Sequence, residues 1–460
     1  MTGDLDPRVE EQITTWREYV SRREAIAGRD VDELEDHLRG QIGRLEASGL
    51  APDEAFLVGV KRLGALDDLS REFAREHSER LWKQLMFADA PAQPRGRSLW
   101  LALGLAVGAG LAIKAPALFG IDWASDGAFY ARFAALLVLP FLAACFLVRR
   151  HASVRTTVIV GVPFALTAVM MAAYPFAPDG ATLFLAALHS VVLLWLVTGI
   201  AYVNGAVRSG RARMDFIRFT GEWFVYFVLI ALGGAVLIGL TVAVFAAIDL
   251  DASRFVVDWL VPCGAAGAII VAAWLVEAKQ SVIENIAPVL TRLFTPLFTL
   301  LLLAFIVAGF LQGNLVDSGG DAPEVFGQRD LLILFDIVLV VVLALLLYSQ
   351  SAREPLAPPS WFDRLQLVMI AAALIVDIMV LVAMVGRIAE FGASPNKLAS
   401  LGLNIILVAN LAGAGWLQLR FVMRRTPFDR LERWQTGYVP VYLAWAAIVV
   451  VAFPPLFGFV

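Results

Sequence analysis

The sequence predicts an all-α, polytopic integral membrane protein with a small N-terminal helical domain and about eleven transmembrane helices. Apolar residues make up 59% of the 460-residue chain, above the roughly 45–50% that is typical of soluble proteins. Charge is concentrated at the N-terminus, where residues 1–98 hold 15 Lys/Arg and 20 Asp/Glu. The remaining chain contains eleven apolar runs of about 20 residues or more, each long enough to cross a hydrocarbon core of about 30 Å.

Residues 1–88 predict a compact helical domain. One amphipathic helix is indicated by apolar residues that recur at spacings of three and four, with charged residues between them. Asp30 is the expected N-cap of this helix, and Gly49 is expected to end it. Further helices are predicted over 7–26, from Pro52 onward and over 66–85. The apolar positions of the amphipathic helix are Val31, Leu34, Leu38, Ile42 and Leu45.

A Pro-, Gly- and Arg-containing linker, residues 89–98, leads into the membrane domain, residues 99–460. The polar N-terminus predicts no cleavable signal peptide. The predicted spans lie near 99–118, 128–148, 156–176, 182–203, 222–248, 256–277, 288–311, 330–349, 365–387, 398–420 and 438–458.

The distribution of basic residues predicts the orientation in the bilayer. With the N-terminal domain on the inside, the inner loops and helix ends carry 16 Lys/Arg and the outer ones carry 6. Cytoplasmic loops are enriched in these residues. We therefore expect a multi-pass protein of the inner (plasma) membrane, with a cytoplasmic N-terminus and an external C-terminus, in contact with the lipid bilayer.

Four polar residues in the last third of the chain form a candidate intramembrane polar site. Asp377 and Asn410 lie in consecutive predicted spans at about 15 and 18 Å below the outer boundary, so they can meet. Asn404 and Asp336 lie nearer the outside, at about 9 and 10 Å. Polar groups at these depths need partners. Two readings are open: a site for a proton or cation, or a structural hydrogen bond that ties two helices together.

A second candidate set lies near the inner ends of the spans and consists of Arg218, Glu222, Glu277 and Arg292. These residues predict either an inner-face cluster or separate anchors at the membrane interface.

Catalytic and cofactor-binding motifs are lacking from the sequence. It contains no phosphate-binding loop, nucleophile elbow, H-E-x-x-H or C-x-x-C pattern. Cys145 and Cys263 lie in apolar runs, as buried small hydrophobic residues do. We therefore expect no cofactor, no metal and no enzymatic activity. The net charge of −4 gives no reason to expect nucleic-acid binding.

Two stretches resemble known families. The DELEDHL motif at 32–38, the turn from Gly49 to Phe56 and the Arg62–Gly64 tripeptide make residues 10–80 similar to the bacterial permease-prefix domain, which is related to the HAAS signalling domain. That resemblance implies a regulatory domain with a cytoplasmic protein partner. The second resemblance is carried by DFIRFTGEWFVYFVLIALGG, PVLTRLFTPLFTLLLL, RDLLILFDIVLVVVLALLLYS, SPNKLASLGLN and YVPVYLAWAAIVVVAFPPLFGF. Through these stretches the chain from about residue 130 onward is similar to the bacterial domain of unknown function 4153, which implies a topology and no activity.

Three functions are compatible with these observations. The first is a membrane-embedded sensor or regulatory protein that signals through its N-terminal domain. The second is a small-solute or ion transporter that uses the polar site around Asp377 and Asn410. The third is an enzyme acting on a lipid-linked substrate, for which only the inner Arg/Glu set could serve.

Overall fold

The computed structural model describes residues 7–21, 28–63, 95–123, 125–248, 250–278, 286–311, 329–354 and 357–460. These residues contain helices and no strands, so the protein is all-α as predicted. The chain divides into two compact units, Met1–Pro94 and Arg95–Val460. The division falls inside the predicted linker 89–98.

The N-terminal unit has three described helices. Helix α2 begins at Gly28, so Asp30 lies in its first turn and is not the predicted N-cap; single residues at a helix end are hard to place from sequence. The helix ends at Ala47, just before the expected terminator Gly49, whose φ of +96° is readily adopted only by glycine. The predicted helix 66–85 lies outside the described residues. The bounds are α1 Pro7–Ser21, α2 Gly28–Ala47 and α3 Pro52–Leu63.

The core of this unit is built by one face of each helix. Ile13 and Trp16 of α1 are three residues apart and therefore share a face. Both are fully buried and pack against Leu38 and Ile42 of α2 and Phe56 of α3. The predicted apolar stripe of α2 thus supplies part of the core.

An ion network links α1 to α2 at the edge of this core. The Arg39 guanidinium donates to both carboxylate oxygens of Glu10, at 2.5 and 2.8 Å, and its Nε donates to Glu35 at 2.9 Å. Arg17 of α1 also pairs with Glu35. The hydrogen bonds from Arg39 hold the pKa of Glu10 below its usual value.

The membrane unit consists mainly of long helices. Helix α9 contains a π-helical turn at Val256–Leu260. The bounds are α4 Arg95–Lys114, α5 Gly127–Arg149, α6 Val154–Ala173, α7 Ala181–Tyr202, α8 Gly210–Ala246, α9 Ser253–Ala278, α10 Ile286–Leu311, α11 Arg329–Ser351, α12 Trp361–Phe391, α13 Pro395–Val422, α14 Asp429–Val451 and α15 Phe453–Leu456.

Ten helices in the described part of the chain are long and apolar enough to cross a membrane. The eleventh predicted span, 330–349, corresponds to α11, whose segment Asp336–Ser351 is a shorter apolar helix. Apolar side chains face outward, as on α8, where Leu232, Val236 and Leu240 are each about 60% exposed. Such a surface fits lipid and not water, so the protein is a multi-pass membrane protein.

Two large hydrophobic cores and a smaller cluster around Leu185, Ala399, Val449 and Phe453 lie within the described part of the membrane unit. The first is formed by α4 to α9 with one face of α14, and the second by α10 to α14. In the second core α13 and α14 approach closely, because two glycines of α13 face tryptophan rings of α14. A methyl group at Gly402 would lie 2.0 Å from Trp445, and one at Gly413 would lie 2.1 Å from Trp434. This second core contains the candidate site.

Candidate functional site

Asp377 is an ionisable residue at the centre of the second core. It lies on the buried face of α12, between Val376 and Val380, and that face packs against α10, α11 and α13. The side chain is 0% exposed, and neither carboxylate oxygen has a hydrogen-bond partner. A buried carboxylate without a partner is costly in free energy. Asp377 is therefore the residue of the site that most needs an explanation.

A second carboxylate, Asp336, approaches Asp377 from α11. The two side chains lie within electrostatic range of each other. Asp336 also lies beside Ser400 and Asn404 of α13, and its Oδ1 atom has no hydrogen-bond partner. The structure thus brings two acidic side chains together in an apolar core, although they are 41 positions apart in sequence.

Asn404 contributes an amide to the same place. It is 0% exposed, and neither its Oδ1 nor its Nδ2 atom is in a well-formed hydrogen bond. Asn404 lies close enough to Asp336 to interact with it, although no well-formed hydrogen bond joins the two side chains. We refer to Asp336, Asp377, Ser400 and Asn404 as the acidic layer.

Ser400 is the member of the acidic layer that the sequence prediction omitted. It precedes Asn404 by four residues, so the two lie on the same face of α13. That spacing is the signal that could have identified it, because a serine one turn from a buried asparagine points to the same helix interface.

Asn410 does not belong to the acidic layer, and the predicted meeting of Asn410 with Asp377 is wrong. Its Nδ2 donates to the Tyr442 hydroxyl at 2.6 Å, and its Oδ1 accepts from Trp434 Nε1 at 3.0 Å. Both partners are on α14, so Asn410 ties α13 to α14. Asn410 follows Asn404 by six positions, and at 3.6 residues per turn this spacing places the two side chains on different faces of α13.

The acidic layer carries two carboxylates and no compensating cation. Within the described residues no Lys or Arg pairs with Asp336 or Asp377. The described residues also contain no group of three or more His, Cys, Asp or Glu that could hold a metal ion. The chemistry available to the layer is therefore the binding of a proton or of a cation by oxygen atoms.

A second polar layer lies at the opposite ends of the same helices. Gln366 of α12 donates to Ser349 of α11. Gln418 of α13 donates to the Asp363 carbonyl at 3.2 Å and to Gln366 Oε1 at 3.4 Å. The Asp363 carboxylate pairs with Arg353. These bonds join α11, α12 and α13, so this layer is a structural bridge.

Members of the candidate inner-face set interact with residues outside that set. Glu277 forms ion pairs with Arg149 and Arg150, which the sequence prediction did not include. Arg218 donates to the backbone carbonyl of Ser351.

The two other members of that set are placed differently. Glu222 lies within electrostatic range of the tyrosine hydroxyls of residues 202 and 348. Arg292 is exposed on the surface of α10. Glu222 shares the neighbourhood of Tyr202 with Glu277 and that of Tyr348 with Arg218, and the ion pairs of Glu277 hold α9 to the end of α5.

The fold and the acidic layer define an all-α multi-pass membrane protein in which a buried aspartate, Asp377, lies near a half-buried one, Asp336. The chain was compared with protein-family models, with curated proteins and with solved structures, and none of these comparisons found a match. The resemblances to the permease-prefix domain and to the domain of unknown function 4153 therefore remain predictions.

Proposed function

We propose that the membrane unit is a small-solute or ion transporter, and that the acidic layer binds the proton or cation that it carries or couples to. The observation that carries this proposal is Asp377, which is fully buried, adjacent to Asp336 and without a hydrogen-bond partner. Ionisable residues inside a membrane domain commonly mark ion or proton pathways.

The alternative explanation, a structural hydrogen bond, accounts poorly for Asp377. A residue that ties helices together has its polar atoms paired, as Asn410 does through Tyr442 and Trp434. An unpaired carboxylate in a low-dielectric core instead needs a positive charge from outside the protein. Transport sites of membrane proteins lie at such depths, between packed helices.

The proposal is tested by flux measurements on the purified full-length protein in liposomes. Entry of H⁺, Na⁺ and Mg²⁺ is measured in turn against protein-free vesicles. We expect at least one ion to enter faster with the protein present, and Asp377→Asn to return that rate to the protein-free level.

Asp251→Asn serves as the matched control, because it removes the same charge from an exposed loop between α8 and α9. It should keep the wild-type rate. The proposal is wrong if no ion enters faster than in protein-free vesicles, or if Asp377→Asn transports as fast as the wild type.

We also propose that the N-terminus lies in the cytoplasm of a cell whose plasma membrane holds the protein. The excess of basic residues in the inner loops supports this orientation. Single-cysteine variants test it: Ala393→Cys, in the α12–α13 turn, should react with an impermeant thiol reagent in intact cells. Arg425→Cys, in the α13–α14 turn, should react only after permeabilisation, and the reverse pattern would contradict the orientation.

A regulatory role for the N-terminal unit is our second candidate function. It is supported by a core of its own, by the separation of the unit from the membrane part and by the predicted permease-prefix resemblance. Residues 1–94 should capture a specific cytoplasmic protein, and their deletion should leave the membrane unit folded but change its response in cells. An unchanged response together with no captured partner would remove this candidate.

A further inference from the structure

We infer that the acidic layer is a binding site for a hard metal cation, held by oxygen atoms of Asp336, Asp377, Ser400 and Asn404 from three helices. This inference rests on the proposed function and names the kind of cation that the site takes. It is carried by the unpaired oxygens of the layer together with the absence of a compensating positive charge in the described residues.

The charge of the layer requires positive partners. Two carboxylates lie within range of each other, and no Lys or Arg in the described part of the membrane unit pairs with them. One divalent ion, or a monovalent ion together with one proton, would balance both carboxylates. Two protons would also balance the charge, so charge alone does not select a metal ion.

The unpaired oxygens favour a metal ion over protons. Four of them lie in the layer: both oxygens of Asp377, Oδ1 of Asp336 and Oδ1 of Asn404. Each proton on a carboxyl group supplies one donor and therefore satisfies one acceptor. A hard cation such as Mg²⁺, Ca²⁺ or Na⁺ contacts several oxygens at once, and carboxylate, carbonyl and hydroxyl oxygens are the ligands that such ions prefer.

Asn404 is the observation that points to a ligand independently of the acidic residues. Asn404 and Asn410 are on the same helix and are both 0% exposed, yet the amide atoms of Asn410 are in well-formed hydrogen bonds and those of Asn404 are not. A buried amide without partners is rare in proteins because its desolvation is not repaid. A cation bound between α11, α12 and α13 would be coordinated by its carbonyl oxygen.

The inference is tested by the thermal stability of the full-length protein in detergent after treatment with a chelator. MgCl₂, CaCl₂, NaCl and LiCl are titrated at fixed pH, with tetramethylammonium chloride keeping the ionic strength constant. We expect at least one of these cations to raise Tm with a saturable dependence on concentration. Asp377→Asn and Asn404→Leu should each raise the half-saturating cation concentration at least tenfold, and Asp251→Asn should leave that concentration unchanged.

Each variant is first shown to elute as a single species, and the two variants check each other. Without added cation, neither should melt below the wild type, because each removes an unpaired buried group. The inference is overturned if no metal cation gives a saturable rise in Tm, or if Tm rises only when the pH is lowered in cation-free buffer. It is also overturned if Asp377→Asn and Asn404→Leu show the same cation-dependent rise in Tm as the wild type. Proton flux in liposomes without any metal-dependent shift would leave the proposed function standing and remove this inference alone.

Discussion

Replacing Asn410 with leucine should destabilise the membrane unit, whereas the same replacement at Asn404 should not. Asn410 donates to Tyr442 and accepts from Trp434, and both bonds connect α13 with α14. Neither amide atom of Asn404 is in a well-formed hydrogen bond. The two positions share a helix, a residue type and full burial, so they form a matched pair.

The magnitude follows from the bonds that are lost. Interhelical hydrogen bonds in membrane proteins contribute about 0.6 kcal/mol on average and up to about 1.7 kcal/mol. Asn410→Leu leaves the Tyr442 hydroxyl without this donor, but Trp434 Nε1 keeps the backbone carbonyl of residue 410 at 3.1 Å. We therefore expect Asn410→Leu to lower the free energy of unfolding by about 1–2 kcal/mol. Asn404→Leu should change the free energy of unfolding by about zero, or stabilise by up to about 1 kcal/mol, in cation-free buffer.

The assay is reversible unfolding in mixed micelles with an increasing fraction of sodium dodecyl sulfate, followed by tryptophan fluorescence. Both variants and the wild type are measured in chelator-treated buffer. The reasoning would be refuted if Asn404→Leu cost as much stability as Asn410→Leu, since that would show a partner for Asn404 within the protein.

Two further predictions concern charged pairs. Arg39 holds the pKa of Glu10 below its usual value of 4.5, so their pair stabilises the N-terminal unit above about pH 4.5, and this stabilisation is lost as the pH falls further. Glu10→Gln should therefore make the stability of residues 1–94 less dependent on pH, as measured by thermal melts followed by circular dichroism. Equal acid sensitivity of the wild-type and variant proteins would contradict this prediction. Arg353→Met leaves the buried Asp363 carboxylate without its cation and should cost about 3 kcal/mol in the micelle assay. Arg433→Met, which breaks an exposed pair, should cost at most about 1 kcal/mol, and similar costs for both would contradict the prediction.

The sequence predicted the class of the fold well, because a membrane span is a local property. Length and hydropathy decide whether one helix can cross a bilayer, and neither depends on the rest of the chain. Helix ends were predicted less well. Helix α8 begins at Gly210, twelve residues before its predicted span at 222, because Ser209 caps it by accepting from the Ala212 N–H.

The candidate site was predicted in part. The polar residues were identified because any polar group in an apolar run is conspicuous, and helix rise gave their depths. Depth does not specify which neighbour a helix face meets, so Asn410 was assigned to Asp377 although it faces α14. The contact between Asp336 and Asn404 depends on how α11 packs against α13, which helix periodicity does not reveal.

The close packing of α13 on α14 has a consequence for movement. Tryptophan rings fill the notches at Gly402 and Gly413, so sliding of either helix along the other would drive these rings against the neighbouring backbone. Helix α13 supplies the neutral oxygens of the acidic layer, whereas α11 and α12 supply the carboxylates.

The acidic layer is thus assembled from three helices that are also joined near their opposite ends. There Gln418 of α13 holds the backbone of Asp363 and the side chain of Gln366 on α12. Any separation of Asn404 from Asp336 would therefore require α13 to move relative to α11 at the end of the bundle that carries the turn from α12 to α13.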